Sequence, residues 1–256
     1  MRYFIELSYN GKKYHGWQNQ PNAISVQETL EKAFSVLLRQ KIELMGCGRT
    51  DTGVHAAQFF AHFDINKSID DNFLYKINSF LPKDIAIHHF FLVDDNAHAR
   101  FDATSRSYEY RVNLGKNPFL LDTSWQIHSK MIDVSLMNEA AKELYNYTNF
   151  KSFSRSNTDV KTYECVISNA LWIKEDDLLI FNITANRFLR NMVRAIVGTL
   201  MEVGLGKITI REFKKIIESK DRTKAGASAK AKGLFLTKIT YPFDLITKNN
   251  FDAKGE

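Results

Sequence analysis

The 256-residue chain is poor in cysteine and proline and has no long hydrophobic run. Its two cysteines, Cys47 and Cys165, lie far apart and form no C-x-x-C pair. That argues for a reducing, cytoplasmic setting and against a thiolate zinc centre. Four prolines and twelve glycines exclude collagen-like and low-complexity architectures. The apolar stretches are strand-sized and broken by charges, so no membrane span of roughly 20 residues is expected. The opening Met1-Arg2-Tyr3-Phe4-Ile5-Glu6 has no apolar core and no small-residue cleavage site, and no signal peptide is read there. Phosphate-cradling fingerprints are missing too. Gly204-Leu205-Gly206-Lys207 lacks the upstream glycine of a P-loop, and no G-x-G-x-x-G follows a strand. Seven histidines are present, but none has the spacing of a zinc site, and metal binding is not expected.

What is present is an ordinary globular balance, 44% hydrophobic and 25% charged residues, long enough for one large domain or two small ones. The net charge is +6, and its distribution says more than its size. From Leu205 to Lys238 ten basic residues face three acidic ones, a segment charge of +7, so the rest of the chain sums to −1. A localised basic surface is the footprint of a phosphate-backbone binder; a solvated helical face would look the same.

Strand-like runs rich in Phe, Tyr, Ile and Val fall at Arg2–Tyr9, Lys41–Cys47, Val54–Asp64, Asp84–Val93, Ser105–Leu114, Cys165–Lys174, Leu178–Thr184 and Gly233–Tyr241. Helical patterns fall at Ser25–Arg39, which opens on a capping-box sequence, and at Asp71–Phe80, Ser135–Tyr145, Arg187–Glu202 and Thr209–Ser219. Each half reads strand, helix, two strands, helix, strand. That order predicts an α+β protein of two ferredoxin-like halves sharing a mostly antiparallel sheet with helices on one face. The division expected is 1–102, 103–246 and a polar tail at 247–256.

One loop stands out for chemistry: Gly46-Cys47-Gly48-Arg49-Thr50-Asp51-Thr52-Gly53-Val54-His55-Ala56. Its glycines allow sharp turns and close approach to a ligand. It also holds an arginine two residues from a carboxylate, an arrangement that lowers a carboxylate pKa by roughly 1–3 units and keeps it ionised, as a nucleophile must be. The Asp-Thr-Gly could also be a plain surface turn. An aspartic-protease reading fails because that chemistry needs two such carboxylates and the chain has one such turn.

The stretch Arg49-Thr50-Asp51-Thr52-Gly53-Val54-His55 resembles the R-T-D-x-G-V-H signature of the TruA-type tRNA pseudouridine synthases. Five further stretches in the same order are similar to that family's motifs. They are Tyr9-Asn10-Gly11 through Gly16-Trp17-Gln18; Asn78 through Leu81-Pro82-Lys83-Asp84-Ile85; His98-Ala99-Arg100-Phe101 with Arg106-Ser107-Tyr108-Glu109-Tyr110; Phe188-Leu189 through Met192-Val193-Arg194; and Lys232-Gly233-Leu234. Thr52 and Asn10 depart from the commoner Ala and Asp. The resemblance implies isomerisation of uridine to pseudouridine at positions 38, 39 and 40 of the tRNA anticodon stem and loop, with no cofactor and no metal. It implies Asp51 as nucleophile or base, and Arg49 as its partner or as the group filling the space of a flipped base. Tyr108 is implied as a stacking platform and proton acceptor, Arg194 as an arginine pairing with the aspartate, and Leu234 as the closing face of the pocket. Arg100, Phe101 and, more weakly, Lys116 are implied as RNA contacts. A homodimer clamping one tRNA is implied as well. On a helix from Arg187, steps of three and four would place Arg187, Arg190 and Arg194 on one polar stripe.

Overall fold

The computed structural model describes all residues except 71, 129–130, 157–159, 243–244 and 246–256. The expected helix start at Asp71 and the expected polar tail at 247–256 thus fall outside the described residues. Among the described residues are nine strands and five α-helices, the α+β class that the element order predicts. The chain divides into two compact units, Met1–Thr104 with the segment from Leu236, and Ser105–Phe235. The sequence division keeps 103–246 together; the chain from Leu236 groups with the first unit because its contacts lie there. Ile239 N–H donates to the Gln58 side chain (2.9 Å), and the Tyr241 hydroxyl donates to Ala99 O (2.6 Å).

In the first unit, β1 (Arg2–Tyr9) runs antiparallel to β3 (His55–Asp64) on one side and β4 (Ile85–Val93) on the other. Alternation sorts the side chains of these strands. On one face Tyr3 stacks on Phe63 (5.9 Å), and Phe34 of α1 (Val26–Leu38) meets Phe63, Phe90 and Phe73 of α2 (Phe73–Phe80) at 5.2–6.1 Å. On the other face Phe4, Phe60, His62, Phe91 and Tyr241 form a second aromatic cluster. Burying each of these phenylalanine rings stabilises the unit by roughly 1.5–3 kcal/mol. Helix α1 starts where its capping residue predicts: the Ser25 hydroxyl accepts from Glu28 N–H at 3.0 Å. The expected strand at Lys41–Cys47 reduces to β2 (Met45–Gly46). Ile42 and Leu44 are buried as alternation requires, but their backbone bonds go to a helix. Ser35 Oγ accepts from Ile42 N–H, Glu31 Oε1 from Leu44 N–H, and Gln27 Nε2 donates to Leu44 O.

In the second unit, β8 (Leu178–Ala185) is antiparallel to β5 (Ser105–Asn113) and β7 (Ile167–Glu175), and the short β6 (Trp125–Gln126) is parallel to β5. Helices α3 (Val134–Glu143), α4 (Met192–Gly204) and α5 (Ile210–Ser219) accompany them. The last strand, β9 (Leu234–Thr240), begins in this unit and ends in the first. The helix expected from Arg187 begins only at Met192. Asn191 sits in the left-handed region at φ 66°, which Asn tolerates better than most residues and which ends helical continuity there. Arg187 and Arg190 therefore precede the helix, and the predicted stripe of three arginines does not form.

A shared device closes a strand in each unit. Asn78 of α2 both donates to Ile87 O and accepts from Ile87 N–H in β4, each at 2.8 Å. Asn138 of α3 does the same to Trp172 of β7, at 3.0 and 2.8 Å.

Along α4 the segment 226–229 lies directly against the helix. Gly226 N–H donates to Thr199 Oγ1 at 3.0 Å, and a Cβ at Gly198 would overlap the carbonyl oxygen of Ala227. Gly198→Ala is expected to push this segment off the helix at a cost of about 1–3 kcal/mol. In a scanning melt that is a fall of at least about 2 °C; an unchanged melting temperature would show that the approach is not tight.

Candidate active site

The loop carrying Asp51 is held from beneath by the segment that follows β1. The Tyr9 hydroxyl and the Thr50 hydroxyl hydrogen-bond at 2.8 Å in a buried position. Trp17 N–H donates to Thr50 O (3.3 Å), and Gly53 N–H donates to Tyr14 O (3.2 Å). From the other direction Gly11 N–H donates to His55 Nδ1 at 3.1 Å, which assigns that nitrogen as an acceptor. Gly16, at φ +89°, has no room for a Cβ against Thr50 O. The Tyr14 hydroxyl is in turn fastened to Asp84 Oδ1 at 2.7 Å; burial, with this bond, pushes the phenol well above its ordinary pKa. The motifs around Tyr9–Trp17, Asp51 and Asp84 are thus one connected support. Its result is that Thr50 and Val54 are buried, Asp51 is half-buried and Arg49 is exposed. Closing the turn itself, Val54 N–H donates to Asp51 O at 3.1 Å.

The same unit carries Arg100 and Phe101. Both are exposed, on a turn, and Phe101 is 73% exposed. The Arg100 guanidinium lies 5.7 Å from the Phe101 ring centroid.

In the second unit, three expected residues collect around Tyr110. Tyr108 and Tyr110 share a face of β5. Tyr110 is fully buried, and its hydroxyl donates to Lys230 O at 2.7 Å; burial raises its pKa strongly, with the Arg194 charge pulling the other way. Tyr108 is only half-buried, its ring edge-on to Phe188 at 5.1 Å. Arg194 stands in the first turn of α4. Its Nε donates to Ala229 O (2.7 Å), while Ala229 N–H donates to Arg194 O (3.0 Å). Asn191 Nδ2 reaches Ser228 Oγ at 2.6 Å. Leu234, 6% exposed, opens β9 directly after the turn whose Gly233 lies against the Tyr110 ring. The roles of Tyr110, Phe188 and Ala229 are absent from the sequence expectations. Tyr110 and Phe188 stand inside the stretches that carry the resemblance, and Tyr110 also shares the i, i+2 spacing with Tyr108; nothing in the sequence signals Ala229.

Lys116 is exposed in the turn after β5. The basic segment is less uniform than its sequence suggests. Lys207, Arg211, Lys215, Lys220, Lys224 and Lys230 are exposed. Arg222 is committed to Ala225 O, Gly226 O and Ser228 Oγ. Lys214 pairs with Glu143 (3.2 Å), and Lys232 Nζ donates to Leu121 O (2.6 Å).

A family model described as tRNA pseudouridine synthase matches residues 140–242. Relatives named tRNA pseudouridine synthase A align over nearly their whole lengths. The protein of Parabacteroides distasonis is 50% identical over 95% of this chain and 97% of its own. That of Bacteroides thetaiotaomicron is 51% identical over 96% and 93%, and that of Bacillus subtilis 40% identical over 94% and 99%.

Tyr110→Phe removes the bond to Lys230 O and keeps the ring. A loss of about 1 kcal/mol is expected, read as a fall of about 2–4 °C in melting temperature. No measurable fall would show that the hydroxyl contributes nothing to holding the turn before Leu234.

Proposed function

The chain belongs to the tRNA pseudouridine synthase family and isomerises uridine to pseudouridine in tRNA; on that premise we propose that its targets are uridines 38, 39 and 40 of the anticodon stem and loop and that Asp51 carries the chemistry. The observation behind the assignment is the Asp51 loop itself. A half-buried carboxylate is presented on a turn that five hydrogen bonds and a tight glycine contact hold in place. A pure RNA-binding surface has no use for an anionic group so carefully fixed.

The reaction is an isomerisation in which atoms and electrons balance without a co-reactant. The N1–C1′ bond of the target uridine breaks, the uracil rotates, and a C5–C1′ bond forms. The proton on C5 leaves and N1 gains one. Asp51 supplies the carboxylate on which cleavage depends, as nucleophile toward the uridine or as base. Arg49 and Arg194 carry the compensating positive charge. Extruding the base costs a few kcal/mol, offset in part by stacking on Tyr108, worth roughly 1–3 kcal/mol. The Tyr108 hydroxyl accepts the C5 proton at the end, and Leu234 covers the uracil's other face. Arg100, Phe101, Lys116 and the exposed lysines of the basic segment contact the RNA. The working form is a cytoplasmic homodimer. Among the described residues no helix is long and apolar enough to cross a membrane.

Asp51→Asn keeps the shape and removes the charge. Pseudouridine formation, read by primer extension after carbodiimide treatment, is expected to vanish while tRNA affinity stays within a few-fold. Turnover by a clean Asp51→Asn preparation would sink the assignment.

The two jobs given to Tyr108 separate by substitution. Tyr108→Phe keeps the ring and loses the hydroxyl, so near-normal binding with turnover slowed roughly 10²–10⁴-fold is expected. Tyr108→Leu is expected to add a weaker hold on the base. Wild-type turnover by Tyr108→Phe would leave Tyr108 its stacking role alone.

A further inference from the structure

The turn that presents Arg100 and Phe101 is built on two imidazoles. His62, on β3, accepts from Ala99 N–H through Nδ1 at 3.1 Å. His98 Nδ1 accepts from both Arg100 N–H (3.1 Å) and Phe101 N–H (3.3 Å). Three consecutive backbone donors thus end on histidine nitrogens. The two rings meet edge-to-face at 4.7 Å, and Phe101 packs on His98 at 4.2 Å. The remaining bonds close the turn around them. His98 N–H donates to Asp102 Oδ2 (2.7 Å), Asp102 N–H to His98 O (3.1 Å), and Arg2 Nη1 to Ala97 O (2.8 Å).

We propose that His98, backed by His62, is a positioning residue for tRNA: as a neutral imidazole it caps the amides of Arg100 and Phe101 and so holds a cation beside an aromatic face, the pair that fits a phosphate next to a nucleobase. The proposal rests on the assignment of Arg100 and Phe101 as RNA contacts. It follows from what an imidazole can do. A neutral ring offers one acceptor nitrogen; a protonated ring offers none. Protonating His98 therefore turns two of the turn's hydrogen bonds into donor–donor clashes.

The groups facing these rings favour the neutral state. Burial holds His62 down to about 4, with the Arg2 and His98 charges pushing the same way and Asp64 and Asp102 opposing. Burial also lowers His98; Arg2 and Arg100 push the same way, while Asp102 opposes. A histidine with a lowered folded-state pKa loses stabilisation as pH falls below its ordinary value of 6.5. The turn is therefore firm at neutral pH and loosens in mild acid. The direction of the RNA effect is diagnostic. Added positive charge on a protein by itself tightens RNA binding, whereas loss of the caps weakens it.

The test compares wild type, His98→Asn and His98→Leu, with unmodified tRNA as substrate, at pH 7.5 and 5.5. Both KM and kcat are measured, together with amide exchange at residues 99–101. Asn keeps an acceptor that never protonates; Leu has none. Wild type is expected to show faster exchange at 99–101, corrected for intrinsic rates, and about a tenfold higher KM at the lower pH. His98→Asn should keep its KM within about threefold at both, and His98→Leu should have the raised KM at both with kcat largely kept. A wild-type KM that falls with acid, or a His98→Asn variant as pH-sensitive as wild type, overturns the proposal. If exchange at 99–101 accelerates in His98→Leu while KM stays put, the capping is right and the RNA assignment of Arg100 and Phe101 is what has failed. If His98→Leu does not fold, the pH profile of His98→Asn against wild type decides alone.

Discussion

The position of the Asp51 loop depends on one buried hydroxyl pair, Tyr9 to Thr50, and on the backbone bonds that flank it. Asp51 lies one residue past an anchored position and two before Gly53, whose N–H is tied to Tyr14 O. A carboxylate on a free loop would spend most of its time in conformations with no substrate to meet. Here the entropy of ordering the loop is met at folding, by the buried Tyr9, Tyr14 and Trp17. The motif around Tyr9–Trp17 contributes no obvious chemistry of its own. It is the surface on which the Asp51 turn is cast, and Tyr14 extends that surface to Asp84.

In the second unit a similar economy applies to Arg194. Its guanidinium is oriented by Ala229 O while its own backbone carbonyl receives Ala229 N–H, so helix and loop set each other's register. Gly198 and Thr199 repeat the contact one turn later. Arg222, which sequence counts among the basic residues available to RNA, is consumed in tying this loop to itself.

How much of this was legible beforehand follows from how local each cause is. The first strand and the start of α1 were readable, since alternation and a capping serine act within a few residues. The short β2 was not. Residues 41–44 carry strand-like alternation, but their partners are side chains of a helix, reached across separations of 7 to 17 residues. The start of α4 failed for a different reason. Apolar periodicity runs back to Phe188, and only the left-handed Asn191 interrupts it. At the site, Asp51 stood out through its glycine-rich surroundings. Tyr108 was separable from Tyr110 by resemblance alone, because their difference in exposure comes from Lys230 and Gly233, more than a hundred residues away.

The asparagine clasps on β4 and β7 have a consequence for life in a crowded cell. A strand at the margin of a sheet offers a row of amides and carbonyls on which a stranger's chain could zip itself. Asn78 occupies both polar groups of Ile87, and Asn138 both of Trp172. Each side chain thus imitates one rung of a neighbouring strand and then offers nothing to extend. A would-be partner must leave a gap at that rung or expel a two-point bond. The protein can keep hydrophobic, β-prone sequences such as Ile85–Val93 at such a margin because the rung beside them is already taken.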